Sequence, residues 1–354
     1  MITSISPREY QEKLHHLPII DVRAPSEYAH AHIPGAISVP LFSDEERAIV
    51  GTIYKHGGRE EAVRKGLEFV GPHVTHYIDI VKAQVVGKEL VLHCARGGMR
   101  SKSIAMLLDF AGHTVHLLTG GFKAYKQFLR DRSVGFQNIV LLGGKTGSGK
   151  TAILRELAEL GEQVVDLEGL ACHRGSALGS LGQNVQPSQE QFILSCLSQL
   201  ARFDAARPVW LEHEGTRLGE VQIPIEILTL MEHAPVIQIE LSTEYRKERL
   251  MHEYGCFSAH ELRPCIIKME KRLGSQATGK ILELLDQGDR GQILRLLLEH
   301  YDRSYQHSRE RNKQHQFFTL ELAGAAPADH ARTIRDFARI LPRSMPHVCA
   351  HPTP

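Results

Sequence analysis

The sequence predicts an α/β protein with two parallel-sheet domains, and three observations indicate this class. Short apolar strands alternate with segments whose apolar residues recur at helical spacing, an order typical of parallel sheets. The chain has 354 residues, enough for two or three domains with separate cores. A polar stretch at 130–137 interrupts the pattern. We therefore predict one domain at 1–133, and a second, doubly wound α/β domain with additional helices at 137–341.

Composition limits the class of protein further. Hydrophobic residues make up 42% and charged residues 23% of the chain, which is ordinary for a soluble globular protein. Because the formal net charge is +1, contact with nucleic acid must come from a local basic surface. The six cysteines form no CxxC pair and the histidines no metal-type cluster, so neither residue type indicates a metal site. Without a signal peptide or a membrane-length apolar segment, we expect a cytoplasmic protein with no membrane partner, and a disordered tail at 342–354.

In the first domain the elements follow one another as strand, loop and helix. A helix is predicted from Ser101 to Phe110, with Gly112 suited to its C-terminal cap. The predicted strands are Leu17–Asp21, Glu89–His93 and Thr114–Leu118.

A cysteine loop joins the second of these strands to the helix. Backbone N–H groups between Cys94 and the helix can surround one anion, and the helix dipole adds positive potential. Arg96 and Arg100 add charge, and all three effects lower the pKa of a thiol. A buried structural cysteine is the alternative interpretation. The predicted catalytic residues are Cys94, Arg96 and Arg100.

The second domain begins with an apolar strand that leads into a glycine-rich loop. A helix is predicted directly after this loop, from Lys150 to Leu160. The predicted strands are Asn138–Leu142, Gln163–Asp166, Pro208–Glu212, Val236–Glu240 and Phe317–Leu320.

The glycine-rich loop is predicted to bind phosphate. Its pattern, Gly-x4-Gly-Lys-Thr, stands in the strand–loop–helix context that such loops require. The amides can wrap a diphosphate, the lysine can neutralise it, and the threonine can reach Mg²⁺. The predicted phosphate-binding residues are Gly144, Thr146, Gly147, Ser148, Gly149, Lys150 and Thr151.

Other candidate ligand contacts follow the strands of the second domain. A carboxylate after a strand can lie on the metal side of a phosphate site, which makes Mg²⁺ a candidate ligand, although solvated loop residues are an equally good interpretation. These candidates are Asp166, Glu168, His173, Arg174, Glu212 and Glu214.

Basic residues recur on two helical segments of the second domain, with Tyr301 and Tyr305 interleaved. Such surfaces can bind phosphate backbones and stack on unpaired bases, although charged helical faces are more often only solvated. The candidate RNA contacts are Lys268, Lys271, Arg272, Arg303, Arg309 and Arg311.

The first domain resembles the rhodanese family. Three segments carry the resemblance, in the family's order: Asp21–Tyr28, His32–Ala36 and Leu118–Tyr125. The resemblance implies a rhodanese-like fold in which the loop cysteine carries sulfur or selenium. It also implies that Asp21 and Arg23 form a structural salt bridge. The cysteine loop is one residue longer than in typical sulfurtransferases, as in dual-specificity cell-cycle phosphatases, which would admit a larger or phosphate-bearing donor.

The chain before its tail also resembles the tRNA 2-selenouridine synthase family. The matching segments are Cys94–Ser101, Gly143–Thr151, Asp166–Leu170, His173–Ser176 and Lys271–Gly274. The resemblance implies replacement of sulfur by selenium in 2-thiouridine at the tRNA wobble position. Geranyl diphosphate would first alkylate the sulfur, and selenium from selenophosphate would then displace geranylthiol.

The same resemblance implies roles and partners. Cys94 would carry or position selenium, and the phosphate loop would hold the diphosphate of the prenyl donor. The tRNA would bind through its anticodon loop, no cofactor would be permanently bound, and the selenophosphate-producing enzyme is a further candidate partner.

Two alternatives remain open from the residues alone. One is a rhodanese-type sulfurtransferase fused to an ATP-dependent kinase-like domain. The other is a non-catalytic RNA-binding protein whose loops only sense phosphate. The phosphate-loop pattern does not rank ATP, GTP and geranyl diphosphate.

Overall fold

The structure is a computed structural model that describes residues 1–311, 315–324 and 326–341, and the side chains of all of these except 304 and 306–311. Contacts divide the chain into two compact units. The first unit comprises 1–133 and 188–202, and the second comprises 134–187 and the described residues from 203 onward. The first unit therefore contains a segment from within the predicted second domain. The predicted tail at 342–354 lies outside the described residues. No helix in the described part of the chain is long and apolar enough to cross a membrane.

A five-stranded parallel sheet forms the centre of the first unit, in the order β1-β5-β4-β2-β3. Its strands are Ile2–Ile5 (β1), Ile19–Asp21 (β2), Ile37–Ser38 (β3), Glu89–His93 (β4) and Thr114–Leu118 (β5). The α-helices of this unit are Pro7–Glu9, Pro25–His30, Asp44–His56, Arg59–Val70, Val74–Gln84, Met99–Phe110, Gly121–Ser133 and Gln189–Leu200, with a π-helix at Tyr10–Leu14 and a 3₁₀ helix at Gly71–His73.

The predicted parallel sheet of the first unit is confirmed, and its central strand explains where Cys94 lies. Leu90, Val91 and Leu92 of β4 are fully buried, because helices cover both faces of the sheet. Cys94 follows at the carboxyl end of this strand. A parallel sheet brings the loops after neighbouring strands to the same edge, where ligands bind in such folds.

The Gln189–Leu200 helix belongs to the first unit through specific polar contacts. The backbone N–H of His32 donates to Oε1 of Gln191 at 2.8 Å, and the Tyr125 and Ser198 hydroxyls lie 3.4 Å apart. The chain thus leaves the second unit, contributes one helix to the first unit, and returns.

A second five-stranded parallel sheet, ordered β12-β11-β6-β8-β7, forms the centre of the second unit. Its strands are Ile139–Gly144 (β6), Gln163–Val165 (β7), Val209–Glu212 (β8), Val236–Glu240 (β11) and Phe317–Glu321 (β12), beside a small antiparallel pair, Arg217–Leu218 (β9) and Val221–Gln222 (β10). The helices are Lys150–Glu159, Leu167–Leu170, Ile225–Met231, Thr243–Tyr254, Ala259–Lys268, Glu270–Leu273, Ser275–Asp286, Arg290–Arg311 and Pro327–Ile340.

The order of the second sheet reverses at β6. The following strands β7 and β8 lie on one side of it, and β11 and β12 on the other. Such a reversal opens a crevice beyond the strand ends, and the phosphate loop starts there.

The helices between 243 and 311 form what we call the helical bundle, which has an apolar cluster of its own. Arg246 ties this bundle to the phosphate loop. Its guanidinium donates to the backbone oxygen of Thr146 at 3.2 Å and to both carboxylate oxygens of Asp302 at 2.8 and 2.6 Å. Arg246, held by Asp302, therefore places side chains of the helical bundle beside the phosphate loop.

Candidate functional site

The cysteine loop of the first unit holds Cys94 Sγ among hydrogen-bond donors. The thiol is 3% exposed, and its sulfur accepts a hydrogen bond from the Gly98 amide at 3.3 Å. The Ser101 hydroxyl lies 3.3 Å from the sulfur and donates to the Gly98 carbonyl at 3.1 Å. Because a hydroxyl has one proton, it can rotate toward the sulfur when the thiol ionises.

The pKa of Cys94 is lowered below its ordinary value. Burial alone raises it, but hydrogen bonds from Ser101 and from the amides of Arg96 and Gly98 outweigh that effect. The loop therefore stabilises a thiolate and suits a nucleophile or a site that holds a chalcogen beside its amides.

The two loop arginines have different surroundings. Arg100 donates to Oε2 of Glu27 at 2.6 Å, so its charge is already paired in this structure. Arg96 is exposed and lines an open cavity of about 310 Å³ together with Lys123 and Lys126. Glu27 and Glu190 line the same cavity, and Lys126 forms an ion pair with Glu190.

Asp21 and Arg23 form the expected salt bridge. Arg23 donates to Asp21 at 2.6–3.0 Å and to the Ala31 carbonyl, and both side chains are buried. The Arg23 guanidinium also lies 3.9 Å from the centre of the Phe122 ring. The pair thus fixes segments around the cysteine loop without facing its sulfur.

The phosphate loop of the second unit opens into a cavity of about 430 Å³, which we call the phosphate-loop cavity. All seven predicted phosphate-binding residues line it. Cations come from several elements, and the wall also contains acidic, aromatic and aliphatic side chains. Its charged and apolar lining residues include Lys150, Arg155, Arg174, Arg249, Arg272, Glu168, Glu214, Leu250, Tyr254, Tyr301 and Tyr305.

Lys150 occupies the base of this cavity among carboxylates. Its Nζ donates to the Gly144 carbonyl at 3.1 Å and lies 3.4 Å from Oε1 of Glu214. Burial lowers the pKa of Lys150, but Glu214 and Glu168 raise it more, so the amine stays protonated.

Glu168 lines this cavity and contacts the first turn of the Lys150–Glu159 helix, which follows the phosphate loop. The Thr151 hydroxyl donates to Oε2 of Glu168 at 2.6 Å. Burial and the neighbouring Glu214 raise the pKa of Glu168 to about 7. The carboxyl group therefore gains or loses its proton near neutral pH.

Glu212 lies beneath the cavity, at the end of β8. It is fully buried, and its Oε2 accepts a hydrogen bond from the Leu167 amide at 3.0 Å. Burial, with Asp166, Glu168 and Glu214 nearby, raises the pKa of Glu212 well above its usual range. Among the described residues its Oε1 has no hydrogen-bond partner.

The structure separates the remaining candidates of the second unit. Asp166 caps the Leu167–Leu170 helix by accepting from the Gly169 amide at 2.7 Å. His173 is half-buried, and burial lowers its pKa. Arg174 points toward Tyr254, with its guanidinium 5.8 Å from the ring centre. Asp166 and His173 therefore support the surrounding loops, whereas Arg174 faces the cavity.

Four of the six candidate RNA contacts are exposed on the helical bundle: Lys268, Lys271, Arg272 and Arg303. Arg272 also lines the phosphate-loop cavity. The Arg309 and Arg311 side chains lie outside the described residues.

Sequence reasoning missed several residues that the fold brings to the phosphate-loop cavity. Arg155 stands one helical turn after Thr151 and could have been found from that spacing. Arg249 and Tyr254 reach the cavity from the helical bundle, about a hundred residues later, and their sequence surroundings carry no comparable signal.

Comparison with known proteins extends over both units. Residues 6–128 match the rhodanese-like domain, and residues 137–325 match the AAA domain of tRNA 2-selenouridine synthase. The tRNA 2-selenouridine synthase of Cupriavidus pinatubonensis is 34% identical, over 90% of this chain and 96% of its own length. The chain belongs to the tRNA 2-selenouridine synthase family. The enzyme of that name from Pseudomonas syringae pv. syringae is 33% identical, over 88% of this chain and 92% of its own length.

Membership of this family confirms the predicted fold class: a rhodanese-like domain followed by a P-loop α/β domain with additional helices. Within the described residues, no group of three or more histidine, cysteine or acidic side chains is arranged to hold a metal ion.

Proposed function

We propose that this protein replaces the sulfur of 2-thiouridine at the tRNA wobble position by selenium, through an S-geranyl intermediate. The name of its curated relatives supports a selenouridine-forming activity on tRNA. The observation that carries the proposal is the pairing of two sites in one chain. Cys94 has a lowered pKa in a ring of amides, and Lys150 stands at the base of a cationic cavity beside a phosphate loop.

In the first step, the thiocarbonyl sulfur of 2-thiouridine attacks C1 of geranyl diphosphate. A C–S bond forms, the C–O bond breaks with its electron pair on the diphosphate, and the uridine N3 proton leaves. The phosphate-loop amides and Lys150 would stabilise the departing diphosphate, because its charge increases as the bond breaks. The cations Arg155, Arg174 and Arg249 line the same cavity.

In the second step, the selenium of selenophosphate attacks C2 of the alkylated base. The C2–Se bond forms, and the C2–S bond breaks to release geranylthiolate, which takes a proton from water. Hydrolysis of the Se–P bond then releases phosphate and leaves 2-selenouridine. The amides of the cysteine loop, with Arg96, would hold the anionic donor, and Cys94 would position its selenium.

A Mg²⁺ ion would fit beside the phosphate loop. The Thr151 hydroxyl and the Glu168 carboxylate, 2.6 Å apart, offer the oxygen ligands that Mg²⁺ prefers. With phosphate oxygens as further ligands, these residues would hold the ion, which would neutralise charge on the diphosphate.

A specific experiment tests the proposal. Nucleosides from cells expressing the wild-type protein, Cys94→Ala or no protein are compared by mass spectrometry. We expect 2-selenouridine only with the wild type, and accumulation of S-geranyl-2-thiouridine with Cys94→Ala. Cys256→Ala is the matched control, because Cys256 is exposed in the second unit. Undiminished 2-selenouridine in Cys94→Ala would overturn the assignment of Cys94.

One observation favours the alternative, a sulfurtransferase fused to an ATP-dependent domain. Glu212 ends β8 next to the phosphate-loop strand β6, where nucleotide-hydrolysing domains carry an acidic residue. The alternative predicts that ATP hydrolysis accompanies sulfur transfer by the purified protein. The proposed function predicts selenation without nucleotide.

A further inference from the structure

A small apolar crevice lies inside the helical bundle, directly behind the phosphate-loop cavity. Its lining is apolar except for Tyr254 and Arg290, and the Arg290 guanidinium donates one hydrogen bond to the Gly255 carbonyl at 2.8 Å. The crevice has a volume of about 20 Å³, room for about one water molecule. Its apolar lining includes Leu178, Met251, Leu262, Ile266, Ile293, Leu294 and Leu297.

Adjacent residues line the two spaces, so only a thin wall separates them. Ala177 lines the phosphate-loop cavity, and its neighbour Leu178 lines the crevice. Likewise, Leu250 lines the cavity and Met251 lines the crevice. Tyr254 lines both spaces. Its buried ring is the shared partition between a cationic cavity and an apolar one.

Charge and polarity differ sharply across Tyr254. On the cavity side, the Arg174 guanidinium lies 5.8 Å from the ring centre. On the other side, the ring packs in the apolar cluster of the bundle. A ligand that satisfies both environments has a phosphorylated head and an apolar tail. A nucleotide, which has a polar sugar and base beyond its phosphates, would leave the crevice unused.

We propose that Tyr254 and the crevice behind it receive the hydrocarbon tail of a prenyl diphosphate and thereby select its length. This inference rests on the proposed function, which supplies the diphosphate donor. The crevice is too small for a prenyl chain as it stands. Movement of the Tyr254 ring and the flexible Met251 side chain would join it to the cavity, and apolar contacts would stabilise the open form.

The test compares dimethylallyl and geranyl diphosphates as competitors of labelled inorganic diphosphate. The wild type should bind the ten-carbon ester at least about tenfold more tightly than the five-carbon ester, because the additional isoprene unit becomes buried. Leu294→Phe fills the crevice and should abolish most of this preference, while its affinity for inorganic diphosphate stays unchanged. Unchanged diphosphate affinity also shows that the variant has folded.

Leu285→Phe is the matched control, because Leu285 is buried in the same bundle cluster but does not line the crevice. It should keep the wild-type preference. Met251→Ala, which widens the crevice, should shift the preference toward the fifteen-carbon farnesyl ester. If the wild type, Leu294→Phe and Met251→Ala all show the same preference among the prenyl diphosphates, the inference is wrong.

The outcomes distinguish this inference from the proposed function. If prenyl diphosphates bind in a Lys150-dependent manner and Leu294→Phe has no effect, the donor assignment stands and the crevice assignment is wrong. If the wild type binds inorganic diphosphate but gains nothing from any prenyl chain, both assignments are wrong.

Discussion

Gly121 lies against the backbone of Cys94. A Cβ added at Gly121 would overlap the Cys94 carbonyl oxygen and lie 2.6 Å from the Gly97 amide nitrogen. The amide of Phe122 donates to the same Cys94 carbonyl at 2.9 Å. The glycine after β5 therefore allows two loops to approach, and this approach shapes the ring of amides around the thiol.

We expect Gly121→Ala to destabilise the first unit by more than about 3 kcal/mol, since overpacking against backbone adds to the cost of its positive φ. Gly112→Ala is the matched control. Gly112 also has a positive φ, of 87°, but a Cβ there meets nothing within 4 Å. Gly112→Ala should therefore lower the free energy of unfolding by only about 1–2 kcal/mol. Urea unfolding measures both. Equal losses would show that the close approach to Cys94 is unimportant.

Ser101→Ala should raise the pKa of the Cys94 thiol. The substitution removes a hydroxyl 3.3 Å from the sulfur, one of the groups that favour the thiolate. The measurement is the pH dependence of thiolate absorbance in the ultraviolet, with Cys94→Ala subtracted. Ser103→Ala, on the exposed face of the same helix, is the control and should leave the pKa unchanged. An unaltered pKa in Ser101→Ala would contradict the role given to this hydroxyl.

Lys150→Ala should prevent both geranylated and selenated products from forming on 2-thiouridine. Loss of one cation beside a departing diphosphate in a half-buried site should raise the barrier by about 3 kcal/mol. Pre-geranylated tRNA should restore selenation, because the cysteine loop is intact. Lys145→Ala changes a lysine of the same loop that does not line the cavity. This variant tests whether the effect requires the lysine inside the cavity. Failure of the pre-geranylated substrate would mean that the phosphate loop serves both steps.

Glu168 should make the free protein less stable as the pH rises from about 4.5 to about 7. Its folded-state pKa is raised from 4.5 to about 7, so within this window the folded protein holds a proton that the unfolded chain has lost. The effect is on the order of 3 kcal/mol. Glu168→Gln, which keeps an acceptor for Thr151, should therefore stabilise the protein more at pH 8 than at pH 5. Thermal unfolding at both pH values measures this, and an equal shift at both would refute the assignment.

Binding of tRNA should weaken steeply with salt although the net charge is only +1. Each phosphate contact releases counterions, so the log–log slope reports the number of contacts. The double substitution Lys268→Gln and Lys271→Gln should reduce both affinity and slope for an anticodon stem-loop. Lys280→Gln is the control, since Lys280 is exposed on a neighbouring helix outside the predicted set. If the double variant retains the wild-type slope, the RNA surface lies elsewhere.

Local patterns predicted most of the secondary structure that positions the two loops. Glu89–His93, Thr114–Leu118 and Val236–Glu240 are strands with the predicted bounds. Each of these segments has apolar residues that are buried in a parallel sheet, and β-branched and aliphatic residues favour strands. The strands Ile2–Ile5 and Ile37–Ser38 were not predicted, and the predicted strand Leu17–Asp21 begins only at Ile19.

Partners of the loop residues were harder to predict. Arg100 was expected to contribute charge to the cysteine loop, but its pairing with Glu27 joins residues 73 positions apart. Arg272, a predicted RNA contact, is exposed and also lines the phosphate-loop cavity. A charged helical residue looks the same in sequence whether it faces solvent or a ligand.

By itself, the sequence determined the strand, loop and helix around Cys94 and around Lys150, because these signals are local. Only the tertiary structure decided that the Gln189–Leu200 helix packs in the first unit. It also decided that Tyr254 separates a cationic cavity from an apolar crevice. An amphipathic helix specifies that one face is buried, but the partner of that face depends on packing between segments distant in the chain.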